Sequence, residues 1–119
     1  MAEITKKTEQ DIAQLQNIQR QMQIISAQKQ RFELENTIID QAIVELDKAK
    51  GKTFKSIGGL LIESKPAELK KELGEKKETL KGRLDALTKQ EERLKSKGEE
   101  LRSVIEKAIS PKSPKGDQE

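Results

Sequence analysis

The chain has 119 residues, 38% of them charged and 32% hydrophobic, with two Phe and no Trp, Tyr, His or Cys. That excludes a thick core built on large residues, a disulfide framework and a thiolate metal site, and it removes the commonest general base and nucleophilic thiol of enzymes. The net charge of +3 comes from 24 basic and 21 acidic side chains of interspersed sign, a pattern of solvated helix faces rather than of a basic stripe for nucleic acid.

A chain this rich in charge is either disordered or built of long helices with a narrow apolar seam. Periodicity favours helices. Residues 4–50 contain no Pro and no Gly. Stepping by seven gives Ile4, Asp11, Ile18, Ile25, Phe32, Ile39 and Leu46, of which only Asp11 is not apolar. The companion line is Thr8, Leu15, Met22, Lys29, Asn36, Ile43 and Lys50, which is broken by polar residues. One strong and one weak line of a heptad pattern predict a single amphipathic helix over 4–50, roughly 65–70 Å long at about 1.5 Å per residue. Its apolar content thickens at Ile38, Ile39, Ala42, Ile43, Val44 and Leu46, more than a two-helix seam needs, so that end is expected to meet further partners. Gly51 is the expected helix stop, in the left-handed cap conformation.

Residues 53–63 read differently. Phe54-Lys55-Ser56-Ile57 and Leu60-Leu61-Ile62-Glu63 flank Gly58-Gly59, a pair suited to a primed two-residue hairpin turn. In the simplest register Ile57, Leu60 and Ile62 share one face, and Phe54 and Leu61 the other. Both faces are therefore apolar. A lone two-stranded hairpin is marginal in water and its edges invite further strands, so this stretch reads as an assembly element. The blander reading is a connector folded back on its own helices.

A second helix is expected over 65–109, capped by Ser64 with Pro66 and Glu68 in its first turn. Its strong line is Leu73, Leu80, Leu87, Leu94, Leu101 and Ala108, and its weak one Lys70, Lys77, Leu84, Glu91, Gly98 and Ile105. Gly74, Gly82 and Gly98 each cost about 1 kcal/mol relative to Ala, and the helix is expected to fray beyond Gly98. Ser-Pro-Lys occurs twice in 110–119, where disorder is expected. The fold class is thus mostly α: an antiparallel two-helix coiled coil with one β-hairpin between the helices. It forms a single domain over 1–109, with both termini at the end away from the hairpin. With no run of about 20 apolar residues and no apolar signal-peptide core in Met1-Ala2-Glu3-Ile4-Thr5-Lys6, a soluble cytoplasmic non-enzyme is expected, without cofactor or metal.

The hairpin Phe54 to Ile62 resembles the linker of prefoldin β-type subunits. The segment Glu72-Leu73-Gly74-Glu75-Lys76-Lys77-Glu78-Thr79-Leu80, with Arg83-Leu84, Leu87 and Lys89-Gln90-Glu91-Glu92-Arg93-Leu94, is similar to that family's second helix. Gln28-Lys29-Gln30 and the Gln-rich middle of the first helix are similar too. The likeness covers residues 5–109, and a single hairpin matches the β class, since α-type subunits carry two. The resemblance implies an ATP-independent holdase: a hetero-hexamer of two α-type and four β-type subunits whose hairpins form β-barrels. Coiled-coil tips hold unfolded protein clients and pass them to a group II chaperonin. On that reading Phe54, Ile57, Leu60, Leu61 and Ile62, with Ile39 and Ile43, serve subunit assembly. Ile4, Ile12, Leu15, Leu101, Val104, Ile105 and Ile109 serve client binding. The competing readings are a structural coiled-coil adaptor and, more remotely, a nucleic-acid-binding coiled coil.

Overall fold

Helix α1 begins where a hydroxyl can take an orphan amide. Thr5 Oγ1 accepts the Thr8 backbone N–H at 3.1 Å, and the Thr5 carbonyl accepts the Glu9 N–H at 3.0 Å, which makes Thr5 the N-cap of α1, Lys6–Lys48. The computed structural model describes residues 4–110; the Ser-Pro tail from Pro111 onward lies outside the described residues. Four elements follow in order: α1, strand β1 (Phe54–Ile57), strand β2 (Leu60–Glu63) and α2 (Pro66–Ile109). The expected fold class holds, two long antiparallel helices with one β-hairpin between them.

The expected ends need correction. Ile4 precedes the helix and is exposed rather than part of the seam, because the cap sits one residue later. Helix α1 ends at Lys48, and Gly51 does not take the left-handed conformation, which among the described residues only Gly58 and Gly59 adopt. Ser64 does not cap α2. Its N–H goes to the Thr53 carbonyl at 2.9 Å, its own carbonyl accepts the Thr53 hydroxyl, and its hydroxyl points back towards Ile62. Ser64 therefore closes the hairpin, and Pro66 opens the helix, where its missing N–H costs nothing.

The chain divides into two compact units. One comprises residues 28–87: the second part of α1, the hairpin and the first part of α2. Here Ile39, Leu69 and Leu80 are buried, with Phe32, Ile43, Leu46 and Leu73 half-buried beside them. Ion pairs cross between the helices: Lys70 to Asp47 at 2.7 Å, Lys77 to Asp40, and Lys76 to Glu35 at 3.6 Å. The guanidinium of Arg83 lies over the Phe32 ring. From the Lys70–Asp47 pair to Arg83 over Phe32, the α1 partner falls in number as the α2 one rises, as antiparallel helices require. Each of these pairs is substantially exposed, so each is worth at most about 1 kcal/mol. They fix register more than stability.

The other unit comprises residues 1–27 and 88–119, in which Ile18, Ile25, Leu101 and Ile105 form the buried apolar seam. Thr8 and Asp11 are buried in it too, with Lys7 Nζ 3.1 Å from the Asp11 carboxylate. Gly98 is not a fraying point. It is buried inside a continuous α2, and a methyl group there would meet Leu15 and Ile18 at 3.6 Å, an ordinary contact distance.

Candidate assembly and client-binding surfaces

The hairpin is a two-stranded antiparallel sheet pairing Phe54 with Glu63, Lys55 with Ile62, Ser56 with Leu61 and Ile57 with Leu60. The turn residues Gly58 and Gly59 have φ of 54° and 84°, the signature of a type I′ turn, whose twist matches that of the strands. Side chains alternate between faces along a strand. Lys55, Ile57, Leu60 and Ile62 therefore lie on one face and Phe54, Ser56, Leu61 and Glu63 on the other, so the expected sharing of faces is observed. Neither face is covered. Phe54, Ile57, Leu60, Leu61 and Ile62 are all exposed, Leu60 at 68% and Leu61 at 72%. Five large apolar side chains bare on an 11-residue excursion, three on one face and two on the other, are exposed apolar surface of the kind that marks an interaction site. Lys55 ties β1 to α2 through Glu72 at 2.6 Å.

The two helix residues expected to join this surface behave differently. Ile39 is buried in the helix–helix seam at 4% exposure, so it is not a surface residue. Ile43 is half-buried. Leu34, Ile38 and Val44 of the same unit are exposed instead. Ile38 and Val44 belong to the apolar excess visible in the sequence; Leu34 was missed, because a single off-seam Leu has no pattern to announce it.

In the unit holding residues 1–27 and 88–119, Leu101 and Ile105 are buried at 8% exposure each, because they stand on the α2 face that packs on α1. They are seam residues in this conformation, not surface residues. Ile12 and Leu15 are half-buried, and Ile4, Val104 and Ile109 are exposed. Ile24 is exposed as well, next to the seam residue Ile25, a residue the heptad reading passed over. These side chains are spaced singly among charged ones. No helix among the described residues is long and apolar enough to cross a membrane.

Comparison with known proteins places this arrangement in context. A family model for the prefoldin subunit matches residues 9–111. The chain is 36% identical over 113 residues to the prefoldin subunit beta of Thermococcus onnurineus, covering 93% of this chain and 97% of that one. It is 33% identical over 115 residues to its counterpart in Archaeoglobus fulgidus, covering 95% and 99%. The crystal structure of the prefoldin beta subunit from Thermococcus strain KS-1 superposes with a TM-score of 0.84 at 33% identity, spanning 94% of this chain and all of that one.

Proposed function

The chain belongs to the prefoldin family, among its β-type subunits, and from that premise we propose that it works as one of four β-type subunits around two α-type subunits in an ATP-independent chaperone. The hairpin builds the shared platform. The unit that carries the termini holds non-native protein in the cytoplasm and hands it to a group II chaperonin. The observation that carries this reading is the bare hairpin: a sheet apolar on both faces and open on both edges is stable only when other strands cover it.

Client holding rests on different groups. Ile4, Val104 and Ile109, with Ile12 and Leu15 half-open beside them, offer small separated apolar contacts. One such contact is weak. Several subunits presenting them at once gain affinity through effective concentration rather than through any deep site. Leu101 and Ile105 join them only where the seam opens.

The test mixes the purified chain with an α-type prefoldin subunit, weighs the product by native mass spectrometry, and adds it to a chemically unfolded client while light scattering is followed. The reading expects a hetero-hexamer that suppresses aggregation without nucleotide. A structural adaptor would give a small oligomer of the chain alone and leave the scattering unchanged.

A further inference from the structure

In the unit made of residues 1–27 and 88–119 the two helices present different surfaces. From Gln10 to Ala27 helix α1 exposes eleven side chains, of which only Arg20 is charged. Over residues 88–109 helix α2 exposes sixteen, of which ten are charged. Six of the eleven on α1 are carboxamides: Gln10, Gln14, Gln16, Asn17, Gln19 and Gln23. Helix stability does not call for them. Gln forms helix no better than Glu or Lys, and it forgoes the ion pairs that opposite charges make three and four residues apart. Solubility is also better served by charge. Neither requirement accounts for a neutral amide surface on a chain that is 38% charged.

Residues three, four or seven apart share a helix face. Gln16, Gln19 and Gln23 form one row on that basis. Gln10, Gln14 and Asn17 form a second, continued by Ile24, which is exposed at 59%. Neighbours in a row stand about 5–6 Å apart. In an extended chain the backbone groups on one side recur every second residue, about 6.5 Å, and the flexible Gln side chain spans the difference. Each carboxamide both donates and accepts, so it can pair with an N–H or a C=O. A carboxylate or an ammonium can do only one of the two, and each rejects a client of its own charge.

We propose that this α1 face holds extended segments of non-native polypeptide by their main chain, through the amides of the two rows with Ile24 as an apolar anchor. This rests on the client-holding reading above and adds the chemistry by which clients are recognised. The occupant is argued from charge. Nucleic acid and an anionic membrane surface both need a cluster of cations, and the face offers Arg20 alone. A folded partner keeps its backbone groups within its own secondary structure. A chain whose backbone is still unpaired is the occupant that carboxamides of neutral charge fit. The face selects neither acidic nor basic clients, because it has almost no charge with which to do so. The amides act beside the separated apolar contacts already named. Each contact is weak alone, and the sum gains from simultaneous engagement.

The test uses the chain assembled with a purified α-type prefoldin subunit and two chemically unfolded clients, one acidic and one basic. Aggregation is followed by light scattering and helix content by circular dichroism. The wild-type assembly is expected to protect both clients at similar ratios. Gln16→Glu with Gln19→Glu and Gln23→Glu changes only exposed side chains and keeps helix propensity. This triple variant is expected to need about ten-fold more assembly for the acidic client than for the basic one, and the matching Lys triple the reverse. Gln16→Ala with Gln19→Ala and Gln23→Ala is expected to need about five-fold more for both, the order of one net hydrogen bond. Wild-type protection of both clients by the charged triples, or by the Ala triple, overturns the proposal and leaves holding at the apolar contacts standing. So does a wild-type assembly that strongly prefers one client. A changed subunit count of the charged triples in native mass spectrometry also overturns it, making the face an interface between subunits. A wild-type assembly that protects neither client overturns the holding reading as well.

Discussion

Asp11 interrupts the strongest apolar line of the first helix, and the structure buries it there beside Thr8. Its cationic neighbour Lys7 is itself largely in solvent, so the pair repays little of the cost of burying the carboxylate. Asp11→Leu is expected to stabilise the chain by about 1–2 kcal/mol, read as a rise in thermal midpoint by circular dichroism at fixed protein concentration. Gly98→Ala should act in the same direction. The added methyl meets Leu15 and Ile18 at an ordinary distance, and the helix gains about 1 kcal/mol from leaving Gly behind. Thr5→Ala removes the N-cap and should cost about 1 kcal/mol, largely as loss of helix in the first turns. Neither Thr5 nor Gly98 was legible in advance. Which amide a hydroxyl reaches, and whether a glycine stands in a seam or on open surface, depends on the partner helix. The same dependence hid the burial of Leu101 and Ile105.

Among elements, the hairpin was the most legible, because Gly-Gly between two apolar runs admits few geometries. Both glycines have positive φ, the first at 54° and the second at 84°. Gly58→Asn should be tolerated, since Asn-Gly is a favoured type I′ pair, whereas Gly59→Val, a β-branched residue at positive φ, should destabilise the hairpin by about 1–2 kcal/mol and weaken assembly in proportion. Leu61→Asp and Ile62→Asp place a charge where other strands must cover it. The expected outcome is loss of the hetero-hexamer by native mass spectrometry, with helical circular dichroism largely kept. The long helices were legible from their heptad lines, but not their ends. Ser64 had the composition of a cap and was taken up by the β-ladder instead.

At the scale of the whole molecule, assembly and client holding are assigned to different compact units, residues 28–87 for the first and residues 1–27 with 88–119 for the second. The two activities should therefore separate. Deleting residues 1–12 together with 101–119 shortens both helices of that unit at once. The truncated chain is expected to form the hetero-hexamer and to lose suppression of client aggregation. Undiminished protection would move client binding to residues 13–100. A gentler version keeps the seam: Val104→Ser with Ile109→Ser changes only exposed side chains, so stability should shift by no more than about 0.5 kcal/mol while aggregation suppression falls measurably. The boundary between the two units was not legible in the sequence, since the heptad lines run through both without marking where one gives way to the other.

The alternation of pairs along the hairpin also dictates how fast its amide hydrogens trade with deuterium. In the free chain Lys55, Ile57, Leu60, Ile62 and Ser64 have amides tied across the ladder, and those of Phe54, Ser56, Leu61 and Glu63 face outward. Exchange should therefore alternate between slower and faster from one residue to the next. A strand arriving on one edge slows only that edge's fast amides. Residue-resolved exchange would show which side of the hairpin a neighbour occupies and, during assembly, which side is claimed first.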